Sequence, residues 1–117
     1  MKIRILNNSL RLRLTQSEVL EIGHHNEVSA KIQFSLAPPS ALTYAVCSAD
    51  VEEITANYET NTIAITIPKH LAQELAETDL VSLTHDQTLD ENQTLKILIE
   101  KDFQCLKPRQ GEDDIDA

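Results

Sequence analysis

Four cations occupy alternate positions in two short apolar runs. Lys2 and Arg4 lie in KIRIL, and Arg11 and Arg13 lie in SLRLRL. Alternation with period two predicts strands, whose successive side chains point to opposite faces. The intervening Asn7-Asn8 predicts a two-residue hairpin loop, because Asn tolerates positive φ. That register sets Arg4 opposite Arg11 and Lys2 opposite Arg13, with Ile3, Ile5, Leu10 and Leu12 on the other face. Like charges directly opposed are unfavourable. Long side chains can splay apart, so the penalty is roughly tenths of a kcal/mol. Lys2, Arg4, Arg11 and Arg13 therefore form a candidate anion- or partner-binding face. The same row also suits a solvated strand face paired with the chain's own Glu18, Glu21 or acidic C-terminal run. Fifty-three residues on, the matching positions are Thr55, Asn57, Ala64 and Thr66, which carry no charge.

The other reactive residue types form no recognisable set. His24-His25, His70 and His85 lack metal-ligand spacing to a Cys, an Asp or a second His on one helical face. Asp86, Asp90 and Glu91 crowd one stretch, but without the spacing or the glycine of a calcium loop. Gly23 and Gly111 are the two glycines, so no glycine-rich phosphate loop can be built. No nucleophile–His–acid motif occurs. These readings predict a protein that is not an enzyme and needs no metal or cofactor.

The 117 residues suit one small domain. Aromatics make up 3%, so the core must come from Leu, Ile, Val and Ala. Two cysteines, Cys47 and Cys105, make no disulfide framework. With no apolar leader and no membrane-length run, a cytoplasmic protein with free thiols is expected, Cys47 being a small apolar core residue. The net charge of −9 divides into −1 over residues 1–53, −5 over 54–107 and −3 over 108–117. Such a molecule repels nucleic acid as a whole, so any nucleic-acid role needs a local patch in the first half.

Further along, TQSEVLEIG switches to helical spacing. Thr15 is a good N-cap, Glu18 completes a capping box, and Gly23 suits the C′ position. EVSAKIQF and ALTYAVCS predict strands around the loop SLAPPS. The order β-β-α-β-β then starts again. EITANYE and TIAITI predict strands about a Thr60-Asn61 turn, and Pro68 opens the helix KHLAQELAE. DLVSLT and TLKILIEKD predict strands about a polar loop, HDQTLDENQ. A shift of 53 residues aligns the two halves without a gap: Leu10, Leu12 and Leu14 fall on Ile63, Ile65 and Ile67. The expected organisation is one domain, 1–107, of two repeats, 1–53 and 54–106, followed by a disordered acidic tail, 108–117.

The second half, with Ile65-Thr66-Ile67-Pro68-Lys69 leading into Leu71 and Leu75 and then Asp79, resembles the swapped-hairpin (AbrB-like) family. Thr15 and Gln16 stand where that family usually has Pro and Lys. The resemblance implies two copies whose hairpins interlock into one closed β-barrel, here within a single chain, and arginine-bearing strands set against DNA. The stretches NSLRLRLTQSEV, TIPKHLAQELAETD and LIEKDF also resemble a small uncharacterised bacterial family, which implies no activity.

The expectations are a mainly β fold with two short helices, its β-β-α-β-β repeats interlocked in a pseudo-two-fold barrel. The expected core is Ile3, Ile5, Leu10, Leu12, Leu14, Ile22, Val28, Ile63, Ile65, Ile67, Leu75, Val81, Ile97 and Ile99. The expected function is a non-catalytic protein-binding module or adaptor with a protein partner. The alternative is a nucleic-acid-binding regulator or antitoxin-like protein. No membrane role is expected, and the chain should be a monomer or weak homodimer.

Overall fold

The computed structural model describes residues 1–102. The elements are β1 (Lys2–Leu6), β2 (Ser9–Leu14), α1 (Gln16–His25), β3 (Glu27–Leu36), β4 (Pro39–Ala49), β5 (Thr55–Glu59), β6 (Thr62–Pro68), α2 (Lys69–Glu77), β7 (Ser82–Thr88) and β8 (Thr94–Lys101). The fold is mainly β with two helices. No helix among the described residues is long and apolar enough to cross a membrane. The acidic run 108–117 and Cys105 lie outside the described residues.

The strands form two four-stranded sheets, ordered β1-β2-β8-β7 and β3-β4-β6-β5. Each sheet joins one hairpin from either half of the chain through a central parallel pair. Leu12 pairs with Ile99 across β2–β8, and Val46 with Ile65 across β4–β6. The inward faces meet in one core of Leu12, Leu14, Val46, Ile65, Ile67, Leu83, Ile97 and Ile99, joined by Met1 and Ile54. The helices close one end, adding Val19 and Ile22 from α1 and Ala72 and Leu75 from α2.

A closed barrel is not formed. Strands β1 and β7, and likewise β3 and β5, remain outer strands of their sheets. At the β5/β7 seam a side chain takes the place of a ladder. The Gln87 carboxamide accepts from Ala56 N–H at 2.7 Å and donates to Ala56 C=O at 3.0 Å. β1 and β5 have five residues each, too short to wrap far round a barrel.

The end away from the helices stays open. Ile5, expected in the core, is 60% exposed there, and Tyr58 is 64% exposed. The β3–β4 hairpin runs past the end of β6, because Thr43 already pairs with Thr62, its first residue. Ile32, Phe34 and Leu36 on that extension are exposed. Both strands persist where a loop was expected, Leu36 pairing with Pro39.

Local signals explain most element ends. Thr15 caps α1, its Oγ1 accepting from Glu18 N–H at 3.2 Å while a Glu18 oxygen accepts from Thr15 N–H at 2.9 Å. The other Glu18 oxygen accepts from the Met1 ammonium at 2.6 Å, tying the start of β1 to the start of α1. Helix α1 does not stop at Gly23. It runs on to His25, and Asn26 supplies the left-handed cap at φ 71°. His24 and His25 therefore lie in its last turn rather than beyond it. A Cβ on Gly23 would lie 3.7 Å from the Ala76 Cβ, an ordinary contact. Gly23→Ala is expected to stabilise the fold by about 0.5–1 kcal/mol, read as a higher denaturation midpoint. A C′ glycine would give the opposite sign.

Thr60 and Asn61 turn β5 into β6, both with positive φ, 51° and 58°. Two such residues suit the twist of a tight hairpin, but a β-branched residue is strained in that region. The matching residue of the first hairpin, Asn7, has φ 50°. Thr60→Asn should stabilise the protein by about 1 kcal/mol, raising the urea midpoint at constant slope.

Candidate ligand-binding face

The outer face of the first sheet gathers charge from four strands. The first hairpin has the expected register: Lys2 pairs with Arg13, and Arg4 with Arg11. Leu12 and Leu14 point inward and are fully buried, so Arg11 and Arg13 must point outward. Parallel pairing sets Lys96 beside Ser9, Leu98 beside Arg11 and Glu100 beside Arg13. Across the next ladder lie Asp86, Thr84 and Ser82. Lys2, Arg4, Arg11, Arg13 and Lys96 thus put five of the chain's ten Lys and Arg on one sheet face. Glu100 and Asp86 oppose them, leaving a local balance of +3 in a chain of net −9.

Glu100 organises part of this face. Arg11 Nε donates to one carboxylate oxygen at 2.9 Å and Arg11 Nη2 to the other at 3.1 Å, a bidentate pair. Arg13 Nε lies 3.7 Å from the same carboxylate. Two of the four sequence-predicted cations are therefore partnered by an acid from the far end of the chain. The acids expected from the sequence, Glu18 and Glu21, instead bind the Met1 ammonium and His25. Lys2, Arg4 and Lys96 make no ion pair among the described residues. Arg4 and Lys96 are exposed and flank a groove of about 320 Å³, lined also by Leu6, Arg11, Asp86 and Leu98. Unpaired cations above an aliphatic floor suit an anionic ligand with apolar parts.

The outer face of the second sheet differs. Thr55, Asn57, Ala64 and Thr66 hold the positions that match the cations. Cys47 is half-buried there rather than in the core, its Sγ 3.4 Å from Thr66 Oγ1. It falls on the outward side of β4, between the inward Val46 and Ser48.

The remaining titratable residues do not converge. His25 Nδ1 lies 2.9 Å from Glu21 on the same helix, and His70 is exposed in the first turn of α2. His85 and Asp86 belong to β7, not to a loop. Asp90 accepts from the N–H groups of Asn92 and Gln93, both at 2.8 Å, a turn-forming role. No group of three His, Cys, Asp or Glu that could hold a metal occurs among the described residues. A second hollow of about 250 Å³ opens between the sheets at the end away from the helices, beside Ile5, Leu10, Tyr58, Ile63 and Leu95.

Reasoning from sequence missed Lys96, Leu98, Asp86 and Glu100. They reach the face through the parallel β2–β8 pairing, a contact between the two ends of the chain with no local signal. The signal that could have found them is the swapped-hairpin resemblance, which implies pairing between strands of the two halves.

No curated protein and no solved structure gives a significant match to the chain. A family model spans residues 1–117. On that match the chain belongs to a family of unknown function, DUF7009.

Proposed function

We propose that this protein is a non-catalytic protein-binding module that takes an acidic segment of a partner on the outer face of its first sheet. The observation that carries this reading is the gathering of five of the ten basic side chains on one sheet face, three of which, Arg4, Arg11 and Lys96, line a groove with an aliphatic floor. The rest of the molecule is strongly acidic, so attraction is confined to that face and orients whatever binds. The groove floor, Leu6 and Leu98, favours a segment that mixes carboxylates with an aliphatic residue.

The reading extends to the architecture. We take the chain as two tandem β-β-α-β-β units that exchange hairpins, in the manner of the swapped-hairpin proteins. A shift of 53 residues carries β1 onto β5, β2 onto β6, α1 onto α2, β3 onto β7 and β4 onto β8. The same shift turns the Leu12–Ile99 pair into the Ile65–Val46 pair. One copy of the face carries charge, and the other carries Thr, Asn and Ala.

A second reading uses the same face for nucleic acid, favoured by the arginine-bearing strands alone. The net charge and the Glu100 carboxylate in the middle of the face count against it. Anisotropy of a labelled peptide alternating Glu with Ile tests the first reading. The four acids of residues 112–116 are neutralised so that they do not compete. Salt-sensitive binding is expected, and a flat titration at low salt would remove the proposal.

A further inference from the structure

The geometry points to an occupant for this groove within the same chain. We propose that residues 112–116, Glu-Asp-Asp-Ile-Asp, dock there in cis and compete with partner segments. The inference rests on the reading of the groove as an acidic-segment site and adds its regulation.

Charge is the first support. Residues 112–116 concentrate four carboxylates around one aliphatic residue, Ile115. The face offers a surplus of three positive charges, and its two flanking cations, Arg4 and Lys96, have no ion-pair partner among the described residues. The groove floor of Leu6 and Leu98 supplies apolar contact for the single Ile. The chain's other acidic run, Asp50-Val51-Glu52-Glu53, carries three carboxylates and is fixed between β4 and β5 of the second sheet, away from this face.

Reach is the second support. Strand β8 ends at Lys101, beside Leu14, and the groove lies around Lys96 and Leu98 of the same strand. Doubling back from Lys101 to Lys96 covers about 17 Å at strand spacing. The residues from Asp102 to Glu112 can span roughly 33–36 Å when extended. The acids therefore reach the groove with enough chain left to turn. Tethering gives them an effective concentration on the order of 1 mM. A groove that binds such a segment with a Kd of about 0.1 mM would then be roughly 90% occupied, weakening a competitor about tenfold.

Two measurements on the full-length chain test this. The first compares the backbone amide shifts of the chain with those of the E112Q/D113N/D114N/D116N variant. Shift differences at Arg4, Arg11, Lys96 and Leu98 are expected at low salt, independent of protein concentration. The second titrates a labelled peptide of sequence PRQGEDDIDA into both chains. Binding to the neutralised variant about tenfold tighter than to the unaltered chain is expected. Equal affinity for both would overturn docking in cis and leave the groove reading standing. Binding to neither would overturn both. Shift differences that grow with protein concentration would assign the occupant to a second copy and overturn the cis arrangement.

Discussion

Reversing Arg4 and Lys96 together, Arg4→Glu with Lys96→Glu, in the chain whose four acids at 112–116 are neutralised, is expected to weaken binding of an acidic peptide by about tenfold to a hundredfold. Each exposed ion pair contributes about 0.2–1 kcal/mol, and reversal replaces that attraction with a repulsion of similar size. The balance of the face falls from +3 to −1. Neither residue is in an ion pair among the described residues, and both are exposed. The fold should therefore be unchanged within about 0.5 kcal/mol. Arg11 is a poorer choice. Its removal would leave the Glu100 carboxylate without its bidentate partner and confuse a fold effect with a binding effect. Anisotropy on the variant, with a thermal melt alongside, separates the two. A variant that melts normally and still binds would show that the groove is not the site.

The largest stability effect is expected at Leu12. Its side chain is fully buried and sits on β2 between Ile3 of β1 and Ile99 of β8. Leu12→Ala should cost about 3 kcal/mol, within the usual range for a core leucine, and lower the melting temperature by roughly 12–24 °C. Ile5→Ala is the informative control. Sequence pattern puts both residues on the same inward face. The open end leaves Ile5 60% exposed, so its truncation should cost under about 1 kcal/mol. Equal losses at the two positions would mean that the open end is closed in solution, by a second copy or by a rearranged hairpin.

The difference between Leu12 and Ile5 shows where sequence is informative and where it stops. Local rules account for the first hairpin and its register, for the capping box of Thr15 and Glu18, and for a helix starting directly after Pro68. Each depends on residues within a few positions of one another. The features that build the groove are non-local. Lys96 and Leu98 lie beside β2 only because a strand from the end of the chain pairs parallel to it. The end of α2 is similar: no cation lies in its last turn. Lys101 of β8 donates to the carbonyls of Leu75 and Thr78 at 2.7 and 3.0 Å, where a positive charge complements the helix dipole. Strand β7 was legible only in its first half, where DLVSLT predicts a strand. Its second half, HDQT, has no apolar alternation. Gln87 is suited to that place because its carboxamide satisfies the backbone of Ala56 on the neighbouring sheet.

The most direct test sets an acidic peptide against duplex DNA on one protein, the chain with its four tail acids neutralised. Labelled Glu-Ile peptide and random labelled duplex would be titrated in parallel by anisotropy, at about 50 mM and about 200 mM salt. Peptide binding that weakens with salt, with no DNA binding over the same concentrations, is the predicted result. DNA binding without peptide binding would contradict the protein-binding reading and make the face a nucleic-acid site.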